Sequence, residues 1–390
     1  MKHKDYTVIN QGTAVTRALL DRLSSPDDAL KIIHIAGTNG KGSTAEFFTS
    51  ILISAGKKTG TFTSPQVYGF YDQFRIDGKS LSPEKAESYF GRALKCAEGL
   101  GATDFEIQTA GILLAFKEEG CEYAVIECGM GGLGDATNAV NAKELAVITS
   151  VSLEHTAYLG DTAEKICVRK AGIIKNCPAV INAYQPYESA ERYLRKTGGI
   201  FADGLVMTGG KSFVYGGKEY ELSAEGSLQA YNAVTAIEGA KILGLPETSI
   251  YEGIKSAKPR GRIEKFSASG KNYILDGAHN PSAFEPLAAY LGGIPRKYVT
   301  LIFGCLADKD IEGILSVLAG CADNITAVGC NSPRARTAEE TGAACGKYFD
   351  NVKTADSVSS AMEMAATDTV VVCGSFTLLK EAKEWIEKRQ

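Results

Sequence analysis

Lys31-Ile-Ile-His-Ile-Ala-Gly-Thr-Asn-Gly-Lys-Gly-Ser-Thr44 is the stretch that decides the fold. Its apolar residues 32–36 predict a buried strand, and the pattern that begins at Thr44 predicts a helix. Glycines at 37, 40 and 42 form the turn between them. Backbone N–H groups in such a turn and the partial positive charge of a helix N-terminus favour anions, so the stretch predicts a phosphate-binding loop.

Three side chains of this loop strengthen the prediction. Lys41 adds a full positive charge for the outer phosphates, and Ser43 or Thr44 can reach a magnesium ion. The spacing departs from the G-x-x-x-x-G-K-[ST] pattern because Gly42 separates Lys41 from Ser43. An ordinary strand-to-helix turn is the alternative interpretation. Glycine, lysine and hydroxyl residues in one turn favour the phosphate site.

Composition limits the class of protein. A chain of 390 residues can form two or three domain-sized cores, and its net charge of -4 gives no basic footprint for nucleic acid. No apolar run reaches the roughly 18 residues of a membrane helix, and residues 1–6 lack the apolar core of a secretion signal. The 10 cysteines form no C-x-x-C pair, which argues against zinc and suits a reducing compartment. We therefore expect a cytoplasmic enzyme.

Short apolar strands alternate with amphipathic helices in the first part of the chain. The alternation predicts an α/β domain with a parallel sheet, whose ligands lie at the carboxyl ends of the strands. Residues 66–82 show little periodicity and are predicted to be a loop near the site. The predicted strands are 32–36, 58–64, 123–129, 145–151 and 178–182, the helices are 13–23, 44–53, 83–96, 105–119, 161–174, 228–243 and 247–256, and 203–226 is a hairpin region with segments 205–207, 212–215 and 218–222.

Residues 258–262, Lys-Pro-Arg-Gly-Arg, break this pattern, so we predict two domains, residues 1–258 and 259–390. The alternation restarts in the second, smaller domain, which predicts a second α/β core. Its predicted strands are 273–275, 299–305, 325–329 and 370–373, and its predicted helices are 283–291, 311–318, 338–349 and 376–388.

Polar residues follow several predicted strands. Ser64, Glu127 and His155 offer two oxygens and one imidazole nitrogen, which can hold a divalent ion that bridges phosphates. Alternatively, Ser64 is a turn residue, Glu127 pairs with a buried lysine and His155 is a core histidine. Lys170 lies on a helix between apolar positions, a pattern typical of a lysine whose stem covers the core.

The second domain has a similar strand end, Asp276-Gly-Ala-His-Asn-Pro281. Its Asp, His and Asn side chains indicate a ligand site, and the alternative is an Asx or N-cap turn into the helix at Ser282. Arg260 and Arg262 in the linker have two interpretations: they bind phosphate, or they are solvated charges of a linker.

These motifs occur in the order found in one family. The chain resembles the folylpolyglutamate synthases and dihydrofolate synthases of the Mur ligase superfamily over nearly its whole length. The stretches that carry the resemblance are His34-Ile-Ala-Gly-Thr-Asn-Gly-Lys-Gly-Ser43, Thr63-Ser-Pro65, Glu127-Cys-Gly-Met-Gly-Gly132, Asp135-Ala-Thr-Asn138, Glu154-His155, Lys170-Ala-Gly-Ile173, Gly261-Arg-Ile-Glu264, Leu275-Asp-Gly-Ala-His-Asn-Pro281, Asp308-Lys-Asp310 and Gly374-Ser375.

The resemblance implies a P-loop, Mur-ligase-like central ATPase domain with a mostly parallel sheet and a smaller, Rossmann-like C-terminal α/β domain that binds glutamate. It implies ATP-dependent ligation of L-glutamate to a folate-type carboxylate, either in tetrahydrofolate polyglutamylation or in the conversion of dihydropteroate to dihydrofolate. The carboxylate becomes an acyl phosphate, which the glutamate amino group attacks. ATP and Mg²⁺ are the implied cofactors, the partners are small molecules, and we expect a monomer.

The same resemblance implies roles for individual residues. Lys41, Lys170 and His279 are the implied catalytic residues, and His279 and Ser375 match positions near the incoming glutamate. Lys170 matches a lysine that is carbamylated in relatives, which would make it N6-carboxylysine, a metal ligand. The implied nucleotide contacts are Thr38, Asn39, Gly40, Lys41, Gly42, Ser43, Thr44, Asn232, Arg262 and Asp276, and the implied magnesium ligands are Ser64, Glu127, His155 and Lys170.

The chain departs from the family pattern at several positions, and the changes near Ser64 and Asp135 concern the acyl substrate more than the reaction. Gln66 stands where many relatives have His, Leu133-Gly134 replaces Arg-Leu, and Glu154 replaces Asp. One alternative is therefore a Mur-ligase-like enzyme that joins a different carboxylic acid to an amino acid. An alternative of another class is a P-loop kinase or nucleotide-binding module, which the second domain argues against.

Overall fold

The structure is a computed structural model that describes residues 12–390. The prediction that residues 1–6 form no secretion signal lies outside the described residues. The chain divides into two compact units. The first comprises the chain up to Pro65 with Tyr71–Ser223 and Ser227–Lys258, and the second comprises Gln66–Phe70, Ala224–Gly226 and Pro259–Gln390.

A mostly parallel sheet runs through the described part of the first unit. Its strands are β1 (Lys31–Ala36), β2 (Thr59–Phe62), β3 (Phe74–Ile76), β4 (Lys79–Ser80), β5 (Tyr123–Glu127), β6 (Leu145–Ile148), β7 (Ala179–Ile181) and β8 (Ile200–Phe201). The order is β4-β3-β2-β5-β1-β6-β7-β8, and only β3 pairs antiparallel, with β2 and with β4. β1 is central and buried after Lys31, as expected for an apolar strand covered on both faces.

Helices of the first unit begin at local signals that the sequence carries. Ser82 accepts a hydrogen bond from the Lys85 N–H, and Thr103 and Glu106 form a reciprocal capping box. The described helices are α1 (Ala14–Arg22), α2 (Lys41–Ser54), α3 (Pro83–Cys96), α4 (Asp104–Glu118), α5 (Thr156–Leu159), α6 (Ala163–Ala171), α7 (Glu188–Arg195), α8 (Ser227–Ile242) and α9 (Glu247–Ser256).

A small antiparallel sheet packs on the same core. It consists of β9 (Val206–Met207), β10 (Ser212–Tyr215) and β11 (Lys218–Glu221), in the order β11-β10-β9. Phe213 and Tyr220 stack with ring centroids 5.3 Å apart. They belong to one buried cluster with Phe47 of α2 and Ile33 of β1. This packing holds α2, and therefore the turn at its start, against the central strand.

The second unit has its own sheet, in the order β12-β13-β17-β14-β15-β16 when numbered along the chain. Its strands are β12 (Glu264–Ala268), β13 (Lys271–Leu275), β14 (Val299–Phe303), β15 (Asn324–Val328), β16 (Asn351–Ala355) and β17 (Thr369–Cys373), and only β12 pairs antiparallel. Leu301 and Phe303 join one core cluster and Ile302 joins another, so helices cover both faces. These helices are α10 (Pro281–Leu291), α11 (Ile311–Leu318), α12 (Ala338–Cys345), α13 (Val358–Met364) and α14 (Phe376–Glu387).

Short 3₁₀ helices complete the described elements, at Pro26–Ala29, Phe70–Gln73, Ala136–Ala139 and Arg296–Tyr298. The predicted fold class, α/β with mostly parallel sheets, is confirmed. Among the described residues, no helix combines the length and apolar character that a bilayer crossing requires. All 10 cysteines are free thiols.

Some predicted elements are wrong. Residues 66–82 are not all loop, because β3 and β4 form within them. The three segments predicted within 203–226 are confirmed as β9, β10 and β11, to within one residue at their ends. The prediction also missed β8, β12, β16, α5, α7 and α13. The missed strands β12 and β16 are outer strands with exposed residues along most of their length, so they lack the apolar run that identified the central strands.

Candidate active site

The predicted phosphate loop connects β1 to α2, and two of its glycines are required by close packing. Gly37 has φ +154°, and a Cβ there would lie 1.7 Å from Thr149 Oγ1. Gly40 is the N-cap of α2 with φ +90°, and a Cβ there would lie 2.4 Å from Asn232 Oδ1. The structure therefore brings Asn232 to the loop, as the nucleotide-contact prediction requires. Only glycine allows the backbone to turn at this distance from its neighbours.

Two buried hydroxyls at the start of α2 indicate a ligand. Ser43 Oγ and Thr44 Oγ1 have no hydrogen-bond partner within residues 12–390, although both residues are buried. An unsatisfied buried hydroxyl costs about 1–3 kcal/mol. They lie in the first turn of a 14-residue helix, where the orphan N–H groups favour an anion. A nucleotide phosphate with its metal ion satisfies both requirements.

The loop is fastened to the chain that follows β6. Thr38 Oγ1 donates to Ser152 O over 3.0 Å and accepts the Ser152 N–H over 3.0 Å. Asn39 Nδ2 donates to Ser152 Oγ over 3.3 Å. Ser152 is three residues before His155, so these bonds set the phosphate loop and the His155 segment relative to each other.

Glu127 ends β5 with 4 % of its surface exposed. Its Oε1 lies 3.8 Å from Lys41 Nζ, and its Oε2 accepts the Ser64 N–H over 3.2 Å. Lys41 Nζ also donates to Thr38 O over 3.0 Å. Glu127 therefore pairs with a lysine, as the alternative interpretation expected. That lysine is Lys41, which is also the residue predicted to bind phosphate, so the pair belongs to the predicted site. The structure brings Ser64 to Glu127 through its backbone N–H.

A small pocket lies at this end of the sheet. His155 precedes α5 in a left-handed conformation with φ +52°, and its Nε2 lies 3.9 Å from Glu154 Oε2. Within residues 12–390, no three His, Cys, Asp or Glu side chains are grouped as a metal site. Hydroxyl, phosphate, water or carbamate oxygens would therefore complete the ligands of a hard cation. The pocket is lined by Gly37, Lys41, Cys128, Gly129, Met130, Gly131, Glu154, His155 and Lys170.

Lys170 points into this pocket instead of covering the core with its stem. Its side chain is 3 % exposed, and Nζ donates to Gly37 O over 2.6 Å. Burial, together with the nearby positive charge of Lys41, lowers the pKa of Lys170 from 10.5 to about 7. Because the neutral amine is the form that reacts with CO₂, this environment suits carbamylation. The sequence alone favoured a lysine whose stem covers the core, and the structure contradicts that alternative because Lys170 lines the pocket.

In the second unit, the predicted residues surround the ring of Phe376. The Arg262 guanidinium lies 4.9 Å from the ring centroid, and the His279 ring lies 5.9 Å from it. Ser375 is the N-cap of α14, which begins at Phe376. The ring of Phe376 was not among the site residues predicted from the sequence. The residue in the sequence that could have indicated a ring here is Gly277, because a Cβ at that position would lie 2.2 Å from Phe376 Cε1.

Asp276 has a structural role in the same unit. Its Oδ2 accepts the Ile263 N–H over 2.9 Å, and its Oδ1 accepts the Ala278 N–H over 2.7 Å. Burial raises the pKa of Asp276, while the Arg262 charge opposes that rise. The N-cap alternative holds for Asn280, whose Oδ1 accepts the Ala283 N–H at the start of α10. The bonds of Asp276 hold the neighbours in sequence of Arg262 and His279, whose side chains both lie near the ring of Phe376, the residue after Ser375.

Comparison with known proteins agrees with this arrangement. The model of the Mur ligase middle domain matches residues 35–238, more than half of the chain, and that of the Mur ligase glutamate ligase domain matches residues 261–376. The fold and the site thus define an ATP-dependent ligase of the Mur type.

Individual relatives show to which family of Mur ligases the chain belongs. The dihydrofolate synthase/folylpolyglutamate synthase of Escherichia coli is 34 % identical, with 92 % of this chain and 87 % of the relative covered. The structure of E. coli FolC in complex with DHPP and ADP has a TM-score of 0.88, 30 % identity and coverage of 100 % and 96 %. That of the bifunctional enzyme from Yersinia pestis with AMPPNP and Mn ion has a TM-score of 0.86, 28 % identity and coverage of 99 % and 96 %. The chain belongs to the dihydrofolate synthase/folylpolyglutamate synthase family of Mur ligases.

Proposed function

We propose that this enzyme uses ATP to join the amino group of L-glutamate to the carboxylate of a folate-type acid, by polyglutamylation of tetrahydrofolate, by conversion of dihydropteroate to dihydrofolate, or by both. One observation carries the proposal: the pocket unites Lys41, His155 and Lys170 beside the phosphate loop, with Glu127 3.8 Å from Lys41. Relatives named dihydrofolate synthase/folylpolyglutamate synthase are 34 % and 31 % identical to this chain over 92 % and 90 % of its length, which supports the proposal.

The first step requires two anions to meet. A carboxylate is a poor acyl donor until it is phosphorylated, so its oxygen attacks the γ-phosphorus of ATP and the bond to the leaving ADP oxygen breaks. Lys41 and the backbone N–H groups at the start of α2 offset the charge that this places in the pocket. The glutamate nitrogen then attacks the acyl carbon, loses a proton, and inorganic phosphate leaves.

The residues fit a magnesium ion. The unsatisfied hydroxyls of Ser43 and Thr44 supply oxygen near the phosphates, and Ser64, Glu127 and His155 would hold the ion with them. Magnesium, when bound, neutralises phosphate charge and orients the triphosphate. We assign Lys170 to the same ligand set as N6-carboxylysine, because its buried amine lies in the pocket.

The roles that we assign to the two domains are those that the family resemblance implies. Residues 1–258 bind ATP and the acyl substrate, residues 259–390 bind glutamate with His279 and Ser375, and Arg262 and Asp276 keep their implied role as nucleotide contacts. We assign a monomer in the cytoplasm, which suits 10 free cysteines, 8 of which are buried.

Purified protein with ATP, Mg²⁺ and L-glutamate tests the substrate class. Dihydropteroate and tetrahydrofolate should each be tried, and mass spectrometry should find the acid extended by one glutamate with one phosphate released per bond. A panel of other carboxylic acids tests the second candidate, a ligase for a different acid. That candidate is favoured by Leu133, an apolar side chain that is 48 % exposed beside the site. Extension of another acid alone would replace the folate-type assignment.

Replacement of Lys170 by Ala tests the carbamate. Turnover should fall about 100-fold or more, because a charged ligand is lost from the pocket. Millimolar short carboxylates should restore part of the activity by occupying the space of the carbamate. Wild-type turnover of Lys170→Ala would remove the residue from the mechanism, and a folded, inactive variant without rescue would contradict the carbamate.

A further inference from the structure

A buried hydrogen-bond chain lies behind one wall of the pocket. The wall is Gly129-Met-Gly-Gly-Leu-Gly134, here called the 129–134 loop, and it packs against the last turn of α6. The Leu133 N–H donates to Arg169 O over 2.7 Å, and a Cβ on Gly132 would lie 2.7 Å from Lys170 O. The loop and the helical turn that carries Lys170 therefore have to move together.

Asp135 accepts a backbone hydrogen bond from the 129–134 loop and others from Thr137. Its Oδ2 accepts the Met130 N–H over 2.7 Å, and its Oδ1 accepts the Thr137 N–H over 3.0 Å. The Thr137 hydroxyl lies 2.5 Å from the same Oδ1. Burial raises the pKa of Asp135, and the hydrogen bonds from the Met130 and Thr137 N–H groups and from the Thr137 hydroxyl oppose that rise. Because both oxygens accept these bonds, Asp135 is assigned as a carboxylate to which the Thr137 hydroxyl donates its single proton.

The hydrogen bond from the Thr137 hydroxyl to Asp135 determines which ring nitrogen of His34 carries the proton. Thr137 Oγ1 lies 2.8 Å from His34 Nε2, and with its proton committed to Asp135 it can only accept from that nitrogen. His34 Nε2 therefore carries the proton and also lies 3.1 Å from Cys128 Sγ. Nδ1 is buried and has no hydrogen-bond partner within residues 12–390. Burial lowers the pKa of His34 well below its ordinary value, so the ring is neutral.

We propose that His34 and Thr137 are positioning residues of the reaction. Together they fix the direction of the Asp135 carboxylate and, through the Met130 N–H, the 129–134 loop and the α6 turn with Lys170. Neither side chain lines the pocket, so they act through the loop. The inference depends on the proposed function only in taking this pocket as the reaction site.

Kinetics separates this role from general stability. Thr137→Val keeps the shape of the side chain and removes the hydroxyl, and we expect kcat to fall about tenfold with a raised half-saturating Mg²⁺ concentration. Thr137→Ser should retain wild-type values. His34→Phe should resemble Thr137→Val, and the double variant should lose little more than either alone, because both break one chain. Thr300→Val is the control, since it removes a buried hydroxyl of the second unit that accepts a hydrogen bond from the Thr367 hydroxyl over 2.8 Å.

A spectroscopic test does not require activity. The chain has 4 histidines, so ¹⁵N spectra of histidine-labelled protein can resolve His34. We expect a neutral ring with the proton on Nε2, and loss of that tautomer's hydrogen-bonded shift in Thr137→Val. A proton on Nδ1, or wild-type kcat and Mg²⁺ dependence in a folded Thr137→Val, would overturn the proposal. Absence of ligation with every acid, with the predicted His34 spectrum, would instead count against the proposed function.

Discussion

Replacing Lys170 by Met should stabilise the first unit at low pH while abolishing turnover. The side chain is 3 % exposed, and burial lowers its pKa from 10.5 to about 7. A shift of that size corresponds to about 5 kcal/mol, at about 1.4 kcal/mol per pKa unit. Methionine has a similar length and no charge, and it loses the bond to Gly37 O, worth about 1 kcal/mol. At pH 6 the variant should therefore be more stable than the wild type by a few kcal/mol.

The sign of the pH dependence follows from proton binding. Between about pH 7 and 10.5 the unfolded state holds a proton on Lys170 that the folded state lacks, so the stability of the wild type rises with pH in this window. Below that window the folded protein bears the full cost of a buried ammonium. The advantage of Lys170→Met should therefore shrink by about 3 kcal/mol between pH 6 and pH 9.5.

Hydrogen exchange read by mass spectrometry is the assay, because peptides from β1 and α2 report the first unit separately. The buffers should be free of CO₂, since a carbamate would remove the ammonium. Lys165→Met is the matched control: Lys165 lies on the same helix, is 64 % exposed and pairs with Asp161. Its stability difference from the wild type should not change with pH beyond a few tenths of a kcal/mol. A pH-independent difference for Lys170→Met would refute the buried, neutral amine.

Three further substitutions test the site. Gly40→Ala places a Cβ at φ +90° and 2.4 Å from Asn232 Oδ1, so the KM for ATP should rise at least tenfold in steady-state assays; an unchanged KM would contradict the close approach. Glu127→Gln keeps the size of the side chain and removes its charge, so kcat should fall about 100-fold and the apparent Mg²⁺ affinity should weaken, whereas unaltered Mg²⁺ titrations would exclude Glu127 as a ligand. Arg262→Met keeps an apolar stem over Phe376, so the KM for ATP should rise about tenfold with little change in melting temperature; a large loss of melting temperature with normal KM would make the role structural.

The sequence predicted those parts of the fold that are encoded by a local pattern. β1 and β5 are unbroken apolar runs because they are buried on both faces, and α4 begins at a capping box that is visible in the sequence. The outer strands β12 and β16 expose much of their surface and carry lysine, serine and threonine, so their residues lack that signal. Their strand form depends on pairing with β13 and β15, which no local window contains.

The site was predictable where polar residues end apolar strands, as with Lys41, Glu127 and His155. It was not predictable where the partner is distant in the chain. The bond from Lys170 Nζ to Gly37 O joins residues 133 positions apart, and the approach of Asn232 to Gly40 depends on the packing of α8. From the sequence alone, the spacing around Lys170 resembles that of any lysine on an amphipathic helix.

In the proposed reaction the acid is activated by transfer of the γ-phosphoryl group of ATP. Ligation with an acid whose two carboxylate oxygens are both ¹⁸O tests this activation, with the inorganic phosphate analysed by mass spectrometry. An acyl phosphate retains one labelled oxygen in the phosphate when glutamate displaces it, so we predict one ¹⁸O per phosphate released. Unlabelled phosphate, formed at the same rate as the amide bond, would contradict the formation of an acyl phosphate.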